Sequence, residues 1–248
     1  MWCLSQLGRR CGIALACAGL LLGVLGASPS AIEPASGPED VVLLHGLGRS
    51  ARVMRPLERE LTRAGYRVHN LSYPSTRQSP ELLVAYLHGE IAGCCAWAGR
   101  VHFVTHSLGG VMARAYLAEH PMPNLGRVVM LAPPNHGSEY VDVAGHWMLF
   151  QLVLGPTAVQ LGTGAKSLPN RLPDADFEVG VIAGTNSINP FGNAVIGAVN
   201  DGTVSVSSTQ LTGMRDFIEV DTSHTFIMRN ADATRQTIEF LRGGRFAR

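Results

Sequence analysis

Residues 101–110 read VHFVTHSLGG. An apolar run carrying Val101, Phe103 and Val104 leads straight to Ser107, and Leu108-Gly109-Gly110 then opens the helical pattern LGGVMARAYLAEH (108–120). In Gly-x-Ser-x-Gly, glycines let a strand and a helix pack closely around a serine whose own backbone is strained, so that its hydroxyl stands clear. Here Gly109 keeps the second glycine position, but Thr105 occupies the first. A β-branched residue is comfortable at the end of a strand. The departure therefore bears on the helix-strand spacing and leaves the serine in place. Ser107 reads as a nucleophile rather than as an ordinary helix-capping serine.

The flanking sequence repeats this strand-then-helix alternation. DVVLLH (40–45) is a continuous apolar run, as in a strand buried on both faces. MRPLERELTRAG (54–65) has helical spacing, with Leu57 and Leu61 on one face. YRVHNLSYP (66–74) alternates like a strand, and SPELLVAYLHGEIAG (79–93) starts a helix with Ser79 as cap and Pro80 in the first turn. RVVMLAPP (127–134), FEVGVIAGT (177–185) and RDFIEVDTSH (215–224) supply three more strands, and ATRQTIEFLRGG (233–244) a closing helix. With RVHFVTHS (100–107) this predicts about six mostly parallel strands covered by helices on both faces.

The gap between the fourth and fifth strands is long. It holds HWMLFQLVLG (146–155), whose large apolar side chains would forgo on the order of 10 kcal/mol if all were left in water. The segment must cover something or be covered. Residues 138–176 are therefore expected to form a cap or lid insertion giving a pocket an apolar wall, with Trp147 and Phe150 as candidate substrate-lining side chains.

The N-terminus is of another kind. Arg9 and Arg10 precede the uncharged run GIALACAGLLLGVLGA (12–27), and small residues follow. Residues 1–31 read as a secretory signal peptide or, uncleaved, an N-terminal anchor, with 32–39 as a linker and 40–245 as one domain. An exported protein, periplasmic or secreted, is the expectation. Cys94 and Cys95 are adjacent, closer than ordinary disulfide geometry prefers, and read as two half-buried thiols at a helix end. A net charge of +1 offers no electrostatic case for nucleic acid, and no Cys/His spacing or acidic cluster calls for a metal or other cofactor.

In a parallel sheet, reactive groups gather at the carboxyl ends of the strands. Ser107 lies at such an end, and a serine needs a base to take its proton and an acid to orient that base. His224 closes the last strand region, and Asp201, in VNDGTVSVSS, follows the fifth. Asp221 sits too near His224 along the chain, and Asp174 and Asp176 precede the fifth strand, at the wrong end of the sheet. His45-Gly46-Leu47 ends the first strand, so the Leu47 amide can face the same edge. His106 points away from its neighbour on a sharp turn and is expected to pack or to line the cleft, and His45 to brace its loop.

The segments VVLLHGLG (41–48), VTHSLGG (104–110), APPNHGS (132–138), NDGTVSV (200–206) and SHTFI (223–227) together resemble the α/β-hydrolase superfamily, near small secreted bacterial lipases and esterases. They span essentially the whole domain in the family's order. Strands that larger members carry before HGLG have no room here, so the resemblance is to a minimal α/β-hydrolase fold. It implies Ser107 as nucleophile, His224 as base, Asp201 as orienting acid and the Leu47 and Leu108 amides as oxyanion hole. The implied activity is serine carboxylic-ester hydrolysis of acyl-ester or lipid substrates, with membrane-surface contact through the lid or the N-terminal segment. An acyltransferase or thioesterase on the same residues, or a noncatalytic binding protein on the same fold, are the alternatives. Catalysis by a neutral histidine rises with pH through the reference value of about 6.5.

Overall fold

The computed structural model describes residues 38–248; residues 1–31, read as signal peptide or anchor, and most of the linker 32–39 lie outside the described residues. Six strands form one sheet in the order β2-β1-β3-β4-β5-β6, every neighbouring pair parallel. They are β1 (Asp40–Leu44), β2 (Arg67–Leu71), β3 (Val101–His106), β4 (Leu125–Leu131), β5 (Val179–Gly184) and β6 (Asp216–Val220). Each expected strand is present, generally shortened at its ends.

The buried strands alternate sides, and each side has its own core. Val42, Leu44, Phe103, Val128, Met130 and Val181 pack with residues of α2 (Pro80–Cys95) and α3 (Leu108–Glu119). Val41, Leu43, Val104, Val129, Leu131 and Ile182 pack with α1 (Arg55–Arg63) and with the carboxy-terminal helix. Residues of opposite parity on one strand serve opposite faces, which is why these strands read as unbroken apolar runs. Complete burial of each such side chain contributes about 1.5–3 kcal/mol.

The insertion between β4 and β5 carries α4 (Glu139–Ala144), α5 (Met148–Ala158) and α6 (Leu168–Arg171). Its base is clamped by Arg114 of α3, whose guanidinium donates to the carbonyls of Asn135, Leu172 and Pro173. Arg114 is 4% exposed, and burial pulls its guanidinium down to about 10. Further on, α5 is broken at Gly155, where φ is 76° and a Cβ would lie 1.9 Å from the Thr76 carbonyl oxygen. The Thr157 hydroxyl also donates to the Gln78 carbonyl at 2.8 Å, tying this end of α5 to the loop after β2. The other face of α5 stays in solvent, with Met148 at 83% and Leu152 at 80% exposure. This apolar segment is thus shielded on one side only, because a single helix packed at an edge can bury one face.

The chain continues through α7 (Pro190–Ile196), the single turn α8 (Val206–Thr209) and α9 (Ala231–Gly243). Among the described residues no helix is long and apolar enough to cross a membrane. Cys94 and Cys95 correct the sequence reading: they are joined in a vicinal disulfide at the end of α2 rather than standing as two thiols. Their Cα atoms are 3.8 Å apart, which made pairing look unfavourable. A helix terminus, whose last carbonyls have no intrahelical partners, is where the backbone can yield to close such a ring.

Candidate active site

Ser107 stands between β3 and α3 with φ 55° and ψ −124°, a left-handed backbone that a side-chain-bearing residue adopts only under constraint. The constraint is close packing of helix on strand. A Cβ at Gly109 would meet the Leu44 carbonyl oxygen at 2.4 Å, so only glycine lets α3 approach β1 this closely. A Cβ at Gly110 would lie 3.0 Å from Pro133 and 3.3 Å from the Thr105 hydroxyl. That contact explains how the turn tolerates Thr105. The space a glycine would leave at 105 is supplied at Gly110 instead, and Thr105 is fully buried against it.

Three separate loops meet at Ser107. Nε2 of His224, in the loop after β6, lies 2.9 Å from the Ser107 hydroxyl oxygen. Nδ1 of the same ring is 2.7 Å from Oδ2 of Asp201, which follows α7. The Asp201 carboxylate is 1% exposed, and its Oδ1 accepts from the amides of Thr203 and Val204 at 3.0 and 2.9 Å. With both oxygens engaged, this carboxylate has one orientation, and the His224 ring takes its orientation from it. The backbone adds a second tie, from the His224 amide to the Asp201 carbonyl at 3.0 Å. Gly184 at the end of β5 makes room, since a Cβ there would lie 2.9 Å from that of Asp201. Asp221, by contrast, is exposed, and the His224 ring bonds to Asp201.

The remaining sequence-predicted residues divide. Leu47 is half-buried and lines a cavity of about 320 Å³ that also contains Ser107 and His224. Leu108 is the first residue of α3, so its amide is one of the helix's unpaired N–H groups. Among the described residues neither the Leu47 nor the Leu108 amide has a hydrogen-bond partner. Phe150 lines the cavity, joined by Leu154, Leu161 and Val204. Trp147 does not: it is 51% exposed at the start of α5, its ring 5.3 Å from that of Phe191. Only the side of α5 that carries Phe150 and Leu154 faces inward.

His106 borders the cavity but is 2% exposed, and its Nε2 meets the His224 carbonyl oxygen at 3.0 Å. Burial, reinforced by the neighbouring His224 ring, holds it well below the ordinary histidine range. Neutral, it donates from Nε2 and so holds the loop that carries His224. Gly46 permits this, because a Cβ there would be 2.9 Å from His106 Nδ1. His45 braces its own loop: Nδ1 donates to the Gly46 carbonyl, Nε2 accepts from the Tyr73 amide, and its ring stacks on Tyr73 at 4.2 Å.

Sequence reasoning missed the residues that bolt the insertion to the Asp201 loop. Ser138 donates to the Thr203 carbonyl at 2.6 Å, Ser208 to that of Gly137 at 2.6 Å, and Ser205 to the Glu139 carboxylate at 2.8 Å. The cluster of hydroxyls in NDGTVSVSS, facing the lone Ser138 that ends APPNHGS, was the available signal.

The sequence profile of the Alpha/beta hydrolase family matches residues 41–233. Among solved structures the chain is similar to the mature lipase BlEst2 of Bacillus licheniformis, with 21% identity, a TM-score of 0.67, and coverage of 86% of this chain and 95% of that one. It is similar to the metagenomic carboxyl esterase MGS0156, with 19% identity, a TM-score of 0.62, and coverage of 82% and 69%. Phospholipase PlaB of Legionella pneumophila is 20% identical with a TM-score of 0.55, over 69% of this chain and 45% of the larger protein. No curated protein matches the sequence significantly.

Proposed function

The chain belongs to the alpha/beta hydrolase family, and from that membership we propose that it is a serine hydrolase of carboxylic esters, of lipase or esterase type. The observation that carries the reading is the unbroken line from Asp201 through His224 to Ser107, at 2.7 and 2.9 Å, ending on a serine at positive φ. A serine held this way has its proton acceptor in place before any substrate arrives.

In the proposed reaction His224 Nε2 takes the Ser107 proton while Oγ bonds to the ester carbonyl carbon. The Leu47 and Leu108 amides receive the negative oxygen of the tetrahedral intermediate. The carbon–oxygen bond to the alcohol then breaks, and the alcohol leaves with the proton His224 acquired. Water, deprotonated by the same ring, releases the acid and restores Ser107. Asp201 keeps the proton of neutral His224 on Nδ1 and stabilises the imidazolium. The apolar walls formed by Phe150, Leu154, Leu161 and Val204 suit an acyl chain. Export or anchoring through residues 12–27 would set the enzyme to work outside the cytoplasm, and the exposed apolar face of α5 would meet lipid surfaces.

Labelling with a fluorophosphonate probe tests the assignment. Wild-type protein takes up label and Ser107→Ala takes up none. A folded wild type that stays unlabelled with and without detergent refutes it. Competing alcohol, amine and thiol acceptors, added to an ester assay, separate hydrolysis from acyl transfer.

A further inference from the structure

The cavity at Ser107 does not end at its apolar walls. Gly48, Arg49 and Leu154 are shared with an adjoining open groove of about 620 Å³ that runs along the loop after β2. The two spaces differ in chemistry. The first is walled by leucines, Val204 and Phe150. The second is lined by Arg49, Arg77, Ser72, Thr76 and Tyr86, and no acidic residue lines either space.

Both guanidiniums are exposed and, among the described residues, neither makes a salt bridge or a side-chain hydrogen bond. The other arginine-lined grooves on this surface include carboxylates. The groove between α1 and α9 has Glu60 and Glu239 among its arginines, with Arg63 paired to Glu60. Two unneutralised arginines, one of which also lines the cavity at Ser107, with no carboxylate among the lining residues, offer a place for negative charge.

The wall that carries Arg77 is also fixed in place. Gly155 of α5 packs on the Thr76 backbone, the Thr157 hydroxyl holds Gln78, and the Ser75 hydroxyl accepts from the Gly48 amide at 3.1 Å. Leu154 thereby sits at the junction, with its Cδ2 3.3 Å from where a Cβ on Gly48 would be. A substrate crossing that junction would put its apolar end on one side and its polar end on the other.

Building on the serine-hydrolase reading, we propose that the preferred substrate is an ester bearing an anionic group, phosphate or carboxylate, which lies between Arg49 and Arg77 while the acyl chain fills the cavity at Ser107. A neutral ester of the same acyl length uses the cavity alone.

Two measurements test this. The first compares kcat/KM for butyryl esters of glycerol and of glycerol phosphate. Wild type favours the phosphate ester, mainly through KM, and Arg49→Gln/Arg77→Gln lowers that preference roughly tenfold, as removal of two exposed charge contacts would. The preference of wild type also shrinks as salt rises, since exposed charges are screened.

The second is calorimetric binding to Ser107→Ala, which needs no turnover, of hexyl phosphate, hexanol and inorganic phosphate. Hexyl phosphate binds tighter than either of the others, and the double arginine substitution brings it down to hexanol. Equal binding of hexyl phosphate and hexanol, or a ratio that the arginine substitutions leave unmoved, overturns the proposal. Inorganic phosphate binding as tightly as hexyl phosphate overturns the link to the apolar cavity. Absence of fluorophosphonate labelling with phosphate discrimination intact would instead remove the hydrolase reading and leave the anion groove standing.

Discussion

The loops around Ser107 and the outer face of α5 lie a few residues from the same cavity and are built on opposite terms. Around Ser107 every polar group of Asp201 is partnered, His224 is held from both its ring and its backbone, and Gly46, Gly109 and Gly184 allow contacts that a Cβ would block. On α5, Met148, Leu149, Leu152 and Val153 are all more than half exposed, and the helix is held at its far end. The strained and costly conformation occurs where the surroundings over-determine it. The unpartnered apolar surface occurs where the chain has only one neighbour to pack against. Position near a site therefore says little about rigidity; the number of independent ties does.

The largest effect that would sharpen this comparison belongs to Asp201→Asn. An asparagine can keep one oxygen on the Thr203 and Val204 amides, so the loop should fold as before. Its amide nitrogen would then face His224 Nδ1 and favour the wrong tautomer. We expect kcat on a butyrate ester to fall by about 10⁴-fold with little change in thermal midpoint. A matching loss of stability would mean that the carboxylate mainly holds the loop together.

Next comes the response to acid. His45, His102 and His106 are all buried, and burial holds each below the ordinary histidine range. The unfolded chain takes up protons on these rings as pH falls through about 6.5, while the folded chain refuses them, so stability is full above that value and declines below it. The slope is at most about 1.4 kcal/mol per pH unit for each ring. Urea midpoints at about pH 7.5 and about pH 5 measure it. A midpoint that holds steady between them would show that the closely tied region accepts protons without opening.

The smallest effect is expected on α5. Leu152→Ser should change stability by less than about 0.5 kcal/mol, because the side chain it removes is already in water. A loss well above that in a urea titration would break the comparison, since it would mean that something covers this face.

Much of the site was readable along the chain. Ser107 announces itself because a buried strand, a turn and a glycine-rich helix start occur in immediate succession. His224 and Asp201 are reached by asking which suitable residues follow strands at the carboxyl edge. Other features were closed to that approach. Trp147 and Phe150 are three residues apart on one apolar segment, and nothing local says which faces the cavity. His106 was expected near the cleft, but its bond to the His224 carbonyl joins residues 118 apart in sequence. Arg114 looks like a surface cation within a helical pattern until the carbonyls of Asn135, Leu172 and Pro173 close around it.

The sequence by itself determined the order and type of the six strands and of α1, α2, α3 and α9, the parallel sheet they imply and the residue types that meet at its carboxyl edge. These follow from periodicity and turn chemistry, which act over a few residues. Tertiary structure alone decided that Gly110 makes room for Thr105, that Phe150 faces in and Trp147 out, that Cys94 and Cys95 are joined, and that Arg49 and Arg77 line one groove. Each of those depends on how closely two distant backbones approach. That distance is set by the packing of the whole domain, and no short stretch of the chain carries it.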